Sequence, residues 1–184
     1  LLFLLNNAPL RNLLNLVMNF KRIDNHILRG YLSAVSVTAS SYSTGNSISF
    51  YQAKDNTQPW ERAKRCGQAA QLNSEHLMAS SAIPLVFPSV KIKDQYFGDG
   101  SVHQLSPLSP AIHLGAERIF IIGVDQPKVP LHASENNPHP PTVATIAGHL
   151  LDSIFADTMN SDLERMTRIN ETLKLIPEAK KNSI

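Results

Sequence analysis

Two hydrophobic periods take turns along this chain, and their alternation limits the fold more than any single motif. Helical spacing marks "NNAPLRNLLNLVMNF", where Asn7 or Ala8 caps and Pro9 sits in the first turn. Leu10, Leu13, Leu14, Val17 and Met18 then recur every three or four residues. Residues 34–38 and 48–51 instead read as strands, and the turn-rich "SSYSTGNS" between them predicts a hairpin. "VKIKDQYFGDG" alternates apolar and polar residues and predicts a second hairpin, turning at Lys93, Asp94 and Gln95.

The remaining segments repeat this alternation. "DNHILRGY" predicts a short helix closed by Gly30. "QPWERAKRCGQAAQLNSEHLMASSAIP" predicts helix in pieces, the last capped by Ser74 and stopped by Pro84. Helical "LSPLSPAIHLG" ends at Gly115, and the continuous apolar run 119–124 predicts a buried, parallel strand. Strands interleaved with helices imply an α/β layered fold, and no internal repeat suggests a solenoid.

Bulk properties narrow the class. With 184 residues, 42% hydrophobic, the chain can bury a real core without a metal or disulfide staple. A net charge of +2, with basic residues scattered, carries no nucleic-acid footprint. The single Cys66 excludes an internal disulfide, reads as a plain packed thiol, and fits a reducing, cytoplasmic setting. No apolar run approaches the ~20 residues of a membrane-spanning helix. The opening "LLFLLNN" lacks the basic flank of a signal peptide and reads as an apolar element entered part-way.

Three regions follow. Residues 1–126 form the α/β part. Residues 127–141 hold five of the twelve prolines and read as an irregular loop. Residues 142–184 predict helix packed on the same domain, with Leu151, Ile154, Phe155, Met159, Leu163, Met166, Ile169 and Leu173 in one stripe. Its polar face is mixed rather than basic, which suits core packing better than a lipid surface.

One stretch bears chemistry. In "YFGDGS", Asp99 stands between Gly98 and Gly100. An Asp-Gly pair serves hairpin turns, but glycines also clear space around a carboxylate. The surroundings favour the second reading. Ala79-Ser80-Ser81-Ala82-Ile83-Pro84, Phe87-Pro88, Asp99-Gly100 and Leu114-Gly115-Ala116 follow in order along "ASSAIPLVFPSVKIKDQYFGDGSVHQLSPLSPAIHLGAERIFIIGVD". This segment resembles the patatin-like phospholipase family, in its bacterial branch, and the flanks "NNAPLRNLL" and "LLDSIFADTMNSDLERMTRIN" resemble it more loosely.

The resemblance implies the second half of a three-layer α/β/α sandwich, belonging to a lipid acyl hydrolase with a Ser/Asp dyad and an acyl-enzyme mechanism. Asp99 would be the dyad acid, supported by Gly98 and Gly100. A carboxylate can take a serine's proton directly when water is excluded around it, a task to which Tyr96, Phe97 and Val102 would contribute. Such a site needs no cofactor and no metal. Its partner is a lipid or acyl ester, with peripheral membrane contact where the substrate lies in a bilayer. Ser101 departs from the family's Gly or Ala at that position. The nucleophile elbow Gly-x-Ser-x-Gly and the Gly-rich oxyanion loop do not occur in the chain. The expectation is therefore a C-terminal portion of a longer enzyme, carrying the aspartate without the serine.

Other candidates read as ordinary. Gly45 and Ser47 in "TGNSISF" lack the second glycine of an elbow. His103 follows Asp99 by four residues and reads as a rim residue, since a dyad needs no imidazole. His113 reads as helix packing. His132 and His139 lack partners at zinc-ligand spacing. Ser80 and Ser81 read as helix-end residues, and Asp125 as a helix cap at a strand end. Two rival functions remain: a patatin-like interaction module without catalysis, and an α/β hydrolase whose triad includes histidine.

Overall fold

The computed structural model describes residues 3–54, 56–122, 142, 145–146, 148–149 and 158–175. Helices α1 (Ala8–Val17) and α2 (Lys21–Leu28) lead into strands β1 (Ala34–Ser41), β2 (Ser47–Ala53), β3 (Trp60–Arg62) and β4 (Arg65–Ala69). Helix α3 (Ser74–Ser80) follows, then β5 (Val90–Ile92), β6 (Gln95–Asp99), a 3₁₀ turn (Gly100–Val102) and α4 (Ser109–His113). A last helix, α5, spans Thr158–Lys174.

The strands form one mixed sheet of order β3-β4-β2-β1-β6-β5, and with its helices the chain is of the α/β class. Both expected hairpins are present. β1 and β2 pair antiparallel from Ala34↔Ala53 to Ser40↔Ser47, and β5 meets β6 with Ile92↔Gln95 closing around Lys93 and Asp94. Lys93 takes a positive φ of 51°, which completes the tight turn.

The segment read as helix before Ser74 is instead a third hairpin. Trp60 pairs with Gly67 and Arg62 with Arg65, and β4 runs parallel to β2 from Ser47↔Arg65 onward. Its Ala, Lys, Arg and Gln residues favour helix locally, but a neighbouring strand and the Trp60 ring, lying flat on Gly67, override that preference.

Period-two geometry sorts the sheet into two faces. On one, Ala39, Ile48, Phe50, Val90 and Phe97 meet Leu72, Met78, Ala79 and Ala82 of α3 and its flanks to make the core. Phe50 stands edge-on to Phe97 at 5.3 Å and to His76 at 4.8 Å. An ion pair from Arg11 to Glu75 ties α1 to α3, and Gln52 reaches Asp24 of α2 and the backbone N–H of Leu72. The cap of α3 is Asn73, one residue before the expected Ser74. Its Oδ1 accepts from Glu75 N, while His76 Nδ1 accepts from Asn73 N.

The opposite face is hydroxyl-rich, with Thr38, Ser40, Ser47 and Ser49 joined by Tyr51 and Trp60. Trp60 stacks with Tyr51 (5.2 Å) and with His113 of α4 (4.8 Å).

Two apolar expectations differ from the structure. Residues 119–122 lie outside any strand, with Phe120 and Ile122 89% and 85% exposed; among the described residues no strand offers them a partner. Gly123 and Val124, the rest of that predicted strand, fall outside the described residues. In α5 the stripe residues Leu163, Ile169 and Leu173 are exposed. The helix docks through Asp162, whose carboxylate accepts a hydrogen bond from Leu108 N at 3.0 Å.

Candidate functional site

Asp99 ends β6, opposite Ala39 of β1, and shares the α3 side of the sheet with Phe97. Its backbone N–H donates to the carbonyl of Ala82, just past α3, at 3.0 Å. This bond is where the Ala-Ser-x-Ala segment and the Asp-Gly segment meet. The side chain is half-buried and folds onto its own turn: Oδ1 accepts from Ser101 N at 2.9 Å and from the Ser101 hydroxyl. Among the described residues no donor reaches Oδ2, so one carboxylate oxygen is fixed and the other is open.

The flanking glycines have a definite steric cause. Neither has a positive φ; among the described residues the glycines that do are Gly30, Gly45 and Gly115. A Cβ at Gly98 would lie under 3.0 Å from the Tyr42 hydroxyl, and one at Gly100 would lie as close to the Thr38 carbonyl. The glycines thus admit β1 and Tyr42 rather than a sharp bend. Ser40, fully buried, fastens the same corner: its hydroxyl donates to Gly100 O at 3.2 Å and accepts from His103 N at 3.1 Å.

Tyr42 and Ser40 carry no motif in the sequence. Only the pairing of β1 with β6, a contact across some sixty residues, brings them to Asp99. The Tyr42 phenol is pushed above its usual pKa by burial and, secondly, by the Asp99 charge.

The remaining candidates scatter. Ser47 lies in β2 and pairs with Ser40, which in turn pairs with Gly98. Ser47 is therefore two strands, roughly 10 Å, from β6 and on the opposite face from Asp99. Ser81 caps the end of α3 through Leu77 O at 2.9 Å, and Ser80 is the last residue of that helix. Among the described residues His103 Nδ1 is buried without a hydrogen-bond partner, so Asp99 makes no bond that would orient the ring through that nitrogen. His113 stacks on Trp60, and its pKa is lowered by burial, then by Arg62 and Arg65. Burial, and then the charge of Glu61, pushes the Cys66 thiol up, the opposite of what a nucleophilic thiolate needs. Asp125, His132 and His139 lie outside the described residues.

Among the described residues no cluster of three His, Cys, Asp or Glu side chains could hold a metal, and no helix is long and apolar enough to cross a membrane. No protein-family model matches the chain, and neither a curated protein nor a solved structure does.

Chemically, the corner offers a half-shielded carboxylate with one free oxygen, a phenol packed over the neighbouring Gly98, and the end of a short helix behind it. That arrangement can accept a proton from a hydroxyl presented from outside the described residues. Among the described residues, no serine hydroxyl other than that of Ser101 is hydrogen-bonded to it.

Proposed function

We propose that this chain is the aspartate-bearing part of a patatin-like lipid acyl hydrolase, folded as the second half of a three-layer α/β/α sandwich. In this reading Asp99 is the general base for a serine in a Gly-x-Ser-x-Gly elbow supplied by polypeptide outside the 184 residues, and Gly98 and Gly100 shape its corner. The reaction is acyl transfer from a lipid ester to that serine, followed by hydrolysis, with no cofactor. The enzyme meets its substrate at the membrane surface.

The observation that carries the reading is the setting of Asp99. Oδ1 is held by Ser101, Oδ2 is open, and the backbone N–H is anchored to Ala82 at the end of the Ala-Ser-x-Ala helix. A base that must receive a proton at one defined atom needs that combination of restraint and access. Ser101, the departure from the family pattern, supports rather than blocks it, because its hydroxyl occupies only the oxygen turned toward the backbone. The histidine-triad alternative is disfavoured, since His103 Nδ1 makes no bond to Asp99.

The test uses a polypeptide carrying a Gly-x-Ser-x-Gly elbow ahead of this sequence, assayed on p-nitrophenyl butyrate. Asp99→Asn is expected to lower turnover by about 10²–10⁴, the share general-base catalysis supplies, with an unchanged melting curve. His103→Ala is expected to stay within about tenfold of the parent. Equal damage from both, with both folded, refutes the dyad. The 184-residue chain alone is expected to show no turnover above background.

A further inference from the structure

The hydroxyl-rich face holds a second feature, away from Asp99. Helix α5, tied to the start of α4 by the Leu108–Asp162 hydrogen bond, borders a cavity of about 170 Å³ lined by residues of three elements. Arg65 comes from β4, Ser106, Ser109 and His113 from the α4 region, and Asp162 and Arg165 from α5. A narrow crevice shares Arg65, Ser106 and Ser109 and runs under Trp60 toward Ser47 and Ser49.

The charges do not cancel within this cavity. The only ion pair among the described residues joins Arg11 to Glu75, so no described carboxylate lies within salt-bridge distance of Arg65 or Arg165. Asp162 is 6% exposed and already committed, its Oδ2 accepting from Leu108 N at 3.0 Å. Among the described residues, two arginines and one carboxylate line the cavity, and the carboxylate holds the helix. Arg62 places a further positive charge near His113, which lines the cavity. An arginine left unpaired beside a cavity costs little only while water or an anion fills it.

The donors also exceed what a carboxylate could accept. Each guanidinium presents a planar fork of N–H groups, and the hydroxyls of Ser106, 5% exposed, and Ser109 add O–H donors from a third direction. Donor-bearing residues contributed by β4, the α4 region and α5 to one cavity suit a tetrahedral oxyanion with three terminal oxygens. Ile112, Met166 and Ile169 line the same cavity, so the group attached to the anion meets an apolar wall.

We propose that this cavity binds a phosphate monoester, its phosphoryl group between Arg65 and Arg165 and its ester carbons against Ile112, Met166 and Ile169. The proposal does not depend on Asp99 or on the acyl hydrolase reading. A soluble phosphate ester and a phosphatidic-acid headgroup share this chemistry.

Calorimetric titration of the full chain tests it in three arms: inorganic phosphate, glycerol 3-phosphate, and phosphatidylcholine vesicles with and without phosphatidic acid. Saturable binding of glycerol 3-phosphate, competed by inorganic phosphate and not by equal chloride, is the expected result. Tight binding confined to vesicles containing phosphatidic acid supports the site and identifies the source as lipid. Arg165→Gln on exposed α5, and separately Arg65→Gln, should each weaken binding at least tenfold. Arg29→Gln, at the end of α2, should leave it unchanged. Circular dichroism establishes that each variant is folded, and Arg165→Gln suffices if Arg65→Gln does not fold. No binding in any arm, equal competition by chloride, or binding indifferent to Arg165→Gln overturns the proposal.

Discussion

Adding one methyl group at each glycine beside Asp99 separates two kinds of crowding. At Gly100 a Cβ would press on the Thr38 backbone, with the carbonyl carbon at 2.9 Å and the oxygen closer still. Backbone cannot rotate away, so β1 and β6 must part just beyond their last pair, Ala39↔Asp99. Overpacking of this kind costs about 1–3 kcal/mol. The Ser40–Gly100 hydrogen bond goes with it, a further ~1 kcal/mol. Alanine's stiffer unfolded chain returns about 0.4–1 kcal/mol. The net loss at Gly100→Ala is about 2 kcal/mol, or about 4–8 °C in melting temperature for a chain of this size. At Gly98 the obstacle is the end of the Tyr42 side chain, half exposed and free to swing outward. Gly98→Ala should therefore cost less than about 1 kcal/mol. Thermal melts followed by far-ultraviolet circular dichroism measure both. If the two variants melt together, or if Gly98→Ala is the worse, the distinction between backbone and side-chain obstruction is wrong.

Two further perturbations have clear signs. Burial holds the His76 pKa below its unfolded value of about 6.5, so its contribution to stability is complete above that pH. It is lost progressively as pH falls from about 6.5 through the lower folded-state pKa, because over that window the unfolded chain takes up the proton more readily. His76→Gln keeps a side chain able to reach back to the helix cap and removes the titration, so urea midpoints should fall less steeply between pH 7 and 5. His113, lowered in the same direction, retains part of the slope. Unchanged slopes would discount His76. Leu85 takes a positive φ of 67° while 64% exposed, a conformation costing a branched side chain about 1–2 kcal/mol. Leu85→Gly should raise stability by about 0.5–1 kcal/mol after glycine's own entropic penalty. A lower melting temperature would show that Leu85 packs more usefully than its exposure implies.

What could be read from the residues depended on how local the determining forces were. The β1–β2 and β5–β6 hairpins were legible because alternation and turn chemistry lie within a dozen residues of one another. The β3–β4 hairpin was not. Its residues favour helix, and what makes them extended is the parallel pairing with β2 and the stack on Trp60. The apolar run at 119–122 carried a strand's composition, but a strand also requires a neighbour to bond with. At the candidate site, Asp99 and its glycines stood out by motif. Tyr42, Ser40 and the steric reason for the glycines came only from the register between β1 and β6. The arginine-lined cavity was invisible for the same reason, since Arg65 and Arg165 are a hundred residues apart.

The order of the strands has a bearing on how these molecules behave when crowded together. The sheet's two outermost strands, β3 and β5, are its shortest, at three residues each. Each also carries exposed charge, Glu61 and Arg62 on one and Lys91 on the other. A second molecule seeking to extend the sheet would find a template too short to hold it and would have to desolvate ionised side chains to use it. The long strands, β1 and β2, which alone could seed stacked assembly, are enclosed in the middle. Their protection lasts while the outer hairpins stay zipped, so fraying at β3 or β5 is the step at which self-association would begin.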